Sequence, residues 1–372
     1  MKFSVFLVGR STQPSEDRTV IQSMVAHAKN AEALGYDAVF TPDHHFTGYA
    51  PMASDPFIFA AFLAGQLKKV HFGFSVTTTP LHNPVRFAER INLLDQLTEG
   101  RLLVGIGSGT TPEEMIGFGV NFKDAGRIAE ENLAIAEQLW AKGLEDDPVQ
   151  FETSHYKGAV IQRIVPAPYG EKHARLMSVA LRPNSAERAA AAGYPAFIPA
   201  FTPPKIGGTE PFTHVQKYFD FYLNALKAAG HSEDAIAAAL DWTTHSYQCV
   251  HVAETDEQAR AELEIILKAY QASVDREVVY NKRAETISDV KTHEPPNALS
   301  EDWIETWCLY GSPETVAKKL QPYADLGIGN VLMGFTNGPL TAERLALGEK
   351  SMKLFAEQVM PRFKVASQAS AA

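Results

Sequence analysis

The chain of 372 residues reads as an α/β protein, a closed (β/α)8 TIM barrel rather than an open doubly wound sheet. Two observations predict this. First, eight apolar, strand-like segments are separated by helical patterns along most of the length. Second, one helix-to-strand junction recurs. Leu34-Gly35-Tyr36-Asp37-Ala38-Val39, Ala192-Gly193-Tyr194-Pro195-Ala196-Phe197 and Leu326-Gly327-Ile328-Gly329-Asn330-Val331 each close a helical pattern on a glycine suited to the left-handed conformation. An apolar strand follows each, and Thr98-Glu99-Gly100-Arg101-Leu102 is a fourth such turn.

In chain order, strands are expected at 2–8, 38–41, 70–77, 101–105, 176–179, 196–198, 247–252 and 330–334. Helices are expected at 56–67, 84–97, 125–140, 185–192, 215–229, 255–270, 313–326 and 341–358. A further helix precedes Gly35, because Ile21, Met24, Val25, Ala28 and Ala31 follow helical spacing. Before Gly327 the helix opens with Ser312 as N-cap and Pro313 at the first helical position. Two stretches exceed a minimal barrel. Residues 145–170 hold short β-like pieces and read as an inserted hairpin. Residues 273–302 are polar, contain Pro295-Pro296 and read as an active-site lid. No linker divides the chain, so one domain spans 1–363, with a frayed tail at 364–372.

Composition narrows the function classes. An apolar content of 45% supports a large core, and a net charge of -10 without a basic, aromatic-interleaved stripe disfavours nucleic acid. Cys249 and Cys308 lie far apart and outside any CxxC, which points to a reducing compartment without disulfides or structural zinc. The apolar part of the first eight residues is too short for a secretory signal, and no stretch approaches membrane-spanning length. A cytoplasmic location is expected.

Candidate site residues gather where strands meet the following loops, the reacting end of such barrels. Asp43-His44-His45-Phe46 follows strand 2, and adjacent histidines on an extended chain point to opposite sides, so at most one of them faces a ligand, the alternative being ordinary hydrogen-bonded loop histidines. A metal pair lacks the HxH or HExxH spacing, with His82 the only supporting candidate nearby. After strand 4, Gly105-Ile106-Gly107-Ser108-Gly109 fails as a dinucleotide fingerprint and as a P-loop. Its bare backbone serves either tight packing or a flat ring lying across the mouth. After strand 5, Leu181-Arg182-Pro183-Asn184-Ser185 runs into a helix. It is either an ordinary capped start or an anion site, and Arg127 either reaches that anion or pairs with Glu130 or Glu131.

Several motifs in register then become specific. Phe40-Thr41-Pro42-Asp43-His44-His45-Phe46-Thr47, Thr79-Pro80-Leu81-His82-Asn83-Pro84-Val85 and Leu93-Leu94-Asp95-Gln96-Leu97-Thr98-Glu99-Gly100-Arg101 resemble the bacterial luciferase-like flavin monooxygenases. Ser351-Met352-Lys353-Leu354-Phe355 with Val359-Met360-Pro361 is similar to the last helix of a luciferase α-chain, so the resemblance covers nearly the whole chain. It implies a luciferase-like TIM barrel that binds reduced FMN at its mouth without a metal. A separate flavin reductase would supply the reduced flavin. Dioxygen would add to it, forming a C4a-peroxyflavin that oxygenates a small apolar substrate, an aldehyde or ketone. By the same resemblance His44 is the catalytic histidine, whose imidazole can move a proton near neutral pH.

The other site assignments follow from that resemblance. Arg127 and Ser185 match phosphate-binding positions, and Arg182 stands where luciferase has a serine, with a charge that suits a phosphate. Ser75-Val76 matches a non-prolyl cis peptide behind the flavin ring, and Gly107, Ser108 and Ala180 complete the cofactor's surroundings. Phe46, Phe74 and Phe118 are candidates for an apolar substrate pocket, although aromatics of this kind also build cores. Gly107-Ser108-Gly109 replaces the arginine and reactive cysteine that luciferase carries after strand 4, which removes one phosphate contact and argues against assuming light emission. A homodimer or a luciferase-like heterodimer is implied, through the helices at 56–67 and 84–97. Three alternatives remain: an F420-dependent hydride-transferring oxidoreductase of the same fold, a non-catalytic flavin-binding partner subunit, and, weakest, a metal-dependent hydrolase.

Overall fold

The computed structural model describes residues 1–46, 50–179, 183–198, 211–288, 290 and 297–364. Eight parallel strands close into a barrel: β1 (Lys2–Phe6), β2 (Ala38–Thr41), β3 (His71–Thr78), β4 (Leu102–Gly107), β5 (Arg175–Val179), β6 (Ala196–Phe197), β7 (Thr244–Tyr247) and β8 (Asn330–Met333). Their order around the barrel is their order in sequence, and β8 returns to β1 with Phe3 opposite Val331. Among the described residues the helices are α1 (Asp17–Ala33), α2 (Pro56–Ala64), α3 (Pro84–Leu97), α4 (Pro112–Gly117), α5 (Ala125–Ala141), α6 (Pro183–Ala191) and α7 (Pro211–Ala228). After them come α8 (Glu233–Asp241), α9 (Asp256–Ile287), α10 (Glu301–Trp307), α11 (Pro313–Leu326), α12 (Ala342–Gln358) and α13 (Pro361–Lys364). None is long and apolar enough to cross a membrane.

The junction glycines do what their positions require. Gly35, Gly100, Gly193 and Gly327 all have positive φ, and at Gly327 the amide bonds back to the Ala324 carbonyl, closing α11 before β8. At the other end of these helices, side chains take up the first free amides. Asp55 accepts from Ile58, Asn83 from Val85 and Arg86, and Ser312 from Thr315, each followed by a proline at the first helical position.

Alternation along the strands splits the core into two layers. Phe3, Val5, Val39, Phe72 and Phe74 point outward to the helices, while Ala38, Phe40, Leu103, Met177, Phe197, Trp242 and Leu332 fill the barrel. A polar network runs through the barrel: Ser4 donates to Asn330 at 2.7 Å, and Asn330 donates to Thr244 at 3.0 Å.

That polar network explains the one misplaced strand. The expected strand at 247–252 is two elements. The barrel strand is the polar Thr244–Tyr247, whose Thr244 belongs to the network. Cys249–Val252 pairs outside the barrel with Cys308–Gly311, placing the two buried free cysteines opposite each other in register. The chain from 251 to 294 contains neither glycine nor proline, so the helix expected to end at 270 continues to Ile287. Residues 273–287, expected as part of a loop excursion, are therefore helical. Val149–Glu152 and Lys157–Val160 form an antiparallel hairpin.

Candidate active site

The ends of β2 and β3 are tied together at the mouth by one buried carboxylate. Asp43, just after β2, accepts hydrogen bonds from the Thr78 amide and from His82 Nε2, both at 2.8 Å, and its other oxygen lies 3.3 Å from His45 Nε2. Burial alone would raise its pKa. Hydrogen bonds from His45, His82 and the Thr78 amide outweigh that and hold the carboxyl well below the usual carboxylate range. His82 is thus engaged in the anchor, with its ring stacked on Phe87, rather than presented to a metal.

The two histidines diverge as an extended chain requires. The His45 side chain is 10% exposed and packs edge-on against Phe118, whereas that of His44 is 29% exposed at the mouth. His44 Nδ1 lies 2.9 Å from Oε1 of Glu114, which also accepts the His45 amide at 2.8 Å. An ionised carboxylate is acceptor-only, so Nδ1 carries the proton and Nε2 is the nitrogen able to exchange one at the mouth.

Glu114 is the residue that sequence reasoning missed. It sits in the first turn of α4, is only 1% exposed, and its Oε2 has no hydrogen-bond partner. The available signal was an acidic pair, Glu113-Glu114, directly after the glycine turn of strand 4, where acids suit a helix N-terminus. Neighbouring Glu113 has its carboxyl pKa raised by burial, and by the charges of Glu114 and of Glu277 on α9.

The second half of α9 is tied to the mouth. Arg10, after β1, pairs with Glu277 and donates to Ser273, while Arg276 donates to the Thr12 carbonyl at 3.2 Å. α4 also packs against α9.

The Ser75–Val76 peptide on β3 is cis, the geometry the resemblance implies, and both residues are partly exposed between buried neighbours. Here the β3–β4 register shifts, and Thr77 donates to the Gly105 carbonyl at 2.7 Å. The glycines of β4 fit against this step: a Cβ on Gly105 would lie 2.2 Å from the Phe74 carbonyl oxygen, and one on Gly107 would lie 2.6 Å from Val76. Close packing therefore accounts for both glycines, and it leaves a side-chain-free surface beside Val76. Ser108 is exposed at its edge.

At the proposed phosphate end, Arg127 is exposed and paired with Asp124 at 3.0 Å and Glu131 at 2.9 Å, the second being one of the pairings open from sequence. Ser185 lies in the first turn of α6. Arg188 and Glu130 join α6 to α5 at 2.6 Å, so Ser185 and Arg127, each three residues earlier, sit on the same side of the two helices. Ala180 and Arg182 lie outside the described residues. Phe46 and Phe118 meet at the mouth with ring centres 5.8 Å apart. Phe74 does not join them. It is fully buried on the helix side of β3 against Phe57, because the alternation that turns Ser75 to the mouth turns Phe74 away.

The arrangement offers a proton-exchanging imidazole, a smooth surface at the ends of β3 and β4, and a helix N-terminus with a hydroxyl for an anion. Among the described residues no cluster of three or more His, Cys, Asp or Glu side chains is arranged to hold a metal.

Comparison with known proteins places this geometry. Residues 1–330 match the family model described as Luciferase-like monooxygenase. The chain is 26% identical over 381 residues to the alkanal monooxygenase alpha chain of a Kryptophanaron alfredi symbiont, covering 98% of this chain and 99% of the relative. It is 25% identical over 356 residues to the F420-dependent glucose-6-phosphate dehydrogenase of Amycolatopsis mediterranei, covering 92% and 95%. The fold is similar, with a TM-score of 0.73 and 19% identity over 98% of both chains, to the oxygenating constituent of 3,6-diketocamphane monooxygenase from Pseudomonas putida, a type II Baeyer-Villiger monooxygenase solved in complex with FMN.

Proposed function

The chain belongs to the luciferase-like monooxygenase family, and from that premise we infer that it is an FMN-dependent, two-component monooxygenase acting on an apolar aldehyde or ketone. The observation that carries the reading is the His44–Glu114 pair at the mouth, beside the surface left by Gly105, Gly107 and the Ser75–Val76 step. An FMN fits these residues. Val76 and Gly107 would back its ring, and Ser185 with the first-turn amides of α6 would receive its phosphate. Arg127 would add its charge only by exchanging its carboxylate partners. Reduced FMN supplies the electrons that activate dioxygen for transfer of one oxygen atom. The FMN-bound structural neighbour supports FMN as the cofactor, whereas the F420-dependent relative keeps hydride transfer as the competing chemistry.

The protein's own part is proton control and exclusion of water. Glu114 orients His44 so that Nε2 holds or releases a proton at the reacting edge. Asp43 keeps the two strand ends from separating, and α9, held by Arg10 and Arg276, shields the mouth. A dinucleotide fingerprint is missing from the strand 4 turn, which supports a separate flavin reductase as the source of electrons.

Saturating protein is expected to slow the reoxidation of reduced FMN by dioxygen severalfold, read by stopped-flow absorbance. Reoxidation at the rate of free flavin would remove the reading, and hydride transfer from reduced F420 in its place would establish the alternative.

The family reading also proposes a partner. Ile58 and Phe62 on α2, and Leu93 and Leu97 on α3, are each at least half exposed and spaced four residues apart, so they line two adjacent outward stripes. A second copy of the chain is the proposed occupant, its own α2 and α3 completing a four-helix contact. Phe62→Asp combined with Leu93→Asp is expected to convert a dimer into a monomer in sedimentation velocity. A wild-type protein that sediments as a monomer at micromolar concentration would exclude that contact.

A further inference from the structure

We propose that Phe46 and Phe118 form a ring-stacking shelf that selects substrates carrying a flat, unsaturated ring beside the reacting carbonyl. The inference rests on the monooxygenase reading and names the substrate class of that same site. The two rings are tilted by only 27°, and both are about half exposed, Phe46 at 50% and Phe118 at 45%.

The backbone is built to keep them there. Phe46 has a φ of 59°, in the left-handed region that a bulky residue enters only where its surroundings impose it. Gly117 provides the space, since a Cβ on it would lie 2.3 Å from Cε2 of Phe46. Phe118 is fixed from beneath by the buried His45 ring, edge-on at 4.5 Å. Packing of this kind would be superfluous for two aromatics that merely faced water.

The shelf is also registered on the reacting group. Phe46 follows His44 by two residues, and Phe118 lies one helical turn beyond the Glu114 that orients His44. A ring lying on the pair therefore holds its attached carbonyl near His44. A linear chain gains only apolar contact from such a surface, whereas a flat ring adds the favoured offset or edge-to-face geometry.

Calorimetric titration of the FMN-loaded protein with 2-naphthaldehyde and with undecanal, two aldehydes of equal carbon number, tests the shelf. The aromatic aldehyde is expected to bind about tenfold more tightly. Phe118→Leu removes the ring but keeps apolar bulk, and should abolish that preference while leaving undecanal within about twofold. Gly117→Ala, which displaces the Phe46 ring, should act in the same direction. If that variant does not fold, Phe118→Leu decides alone. Equal or tighter binding of undecanal, equal losses for both aldehydes in Phe118→Leu, or a preference that survives in that variant would each overturn the proposal. Slow FMN reoxidation without a ring preference would remove the shelf and leave the monooxygenase reading standing. Free-flavin reoxidation rates would remove that reading, whatever the aldehydes do.

Discussion

His44→Ala is expected to lower product formation by about two to four orders of magnitude, the usual loss when a positioned acid–base group is removed. Binding of FMN, followed by quenching of its fluorescence, should change little, because the proposed phosphate contacts lie on α5 and α6. Glu114→Gln is the sharper companion. An amide oxygen can still accept from Nδ1, so the ring keeps its orientation, but a charge-assisted hydrogen bond becomes a weaker neutral one. The expected outcome is a fall in kcat of about one to two orders of magnitude with KM nearly unchanged. A fully active His44→Ala protein would remove the histidine from the mechanism. A Glu114→Gln variant that loses FMN binding and kcat together would reduce Glu114 to a structural support of the mouth.

How the site could be read from sequence depends on where each signal lies. His44 was legible because a charged and aromatic run at the end of an apolar strand is locally anomalous. Its partner was not, since Glu114 lies 70 residues away and only closure of the barrel brings β2 and α4 together. The four junction glycines carried the barrel because a left-handed helix end is a local backbone requirement. β7 escaped because its polar side chains face a polar patch inside the barrel, which reverses the expected apolar pattern. The glycines of strand 4 were ambiguous for a related reason. A bare backbone looks the same whether a cofactor or a neighbouring strand approaches it, and the irregular step of β3 is visible only in three dimensions.

Acidification from pH 6.5 to about 4 is expected to remove roughly 6 kcal/mol of folding stability through two buried histidines, His27 and His245. Burial pushes the pKa of each from 6.5 down to about 4, with the Ile198 carbonyl drawing His245 partly back. Between those values each ring is neutral in the folded protein and protonated in the unfolded chain. The unfolded state then binds more protons, so this stability is fully present above pH 6.5 and is lost as the pH falls towards 4. Each ring contributes roughly 3 kcal/mol of the loss, a large share of the 5–15 kcal/mol that typically holds a domain together. His71 and His251, whose pKa values burial also lowers, act in the same direction. Asp95 and Glu113 oppose them, since burial raises their carboxyl pKa values and the folded state takes up those protons first. His27 gives the cleaner test, because neither ring nitrogen has a hydrogen-bond partner and His27→Leu therefore unpairs nothing. Urea midpoints measured across this pH range should fall steeply for the wild type and about half as steeply for the variant, as expected if two equal titrations are reduced to one. Equal slopes in the two proteins would mean that the His27 site admits a proton, and with it water, without unfolding.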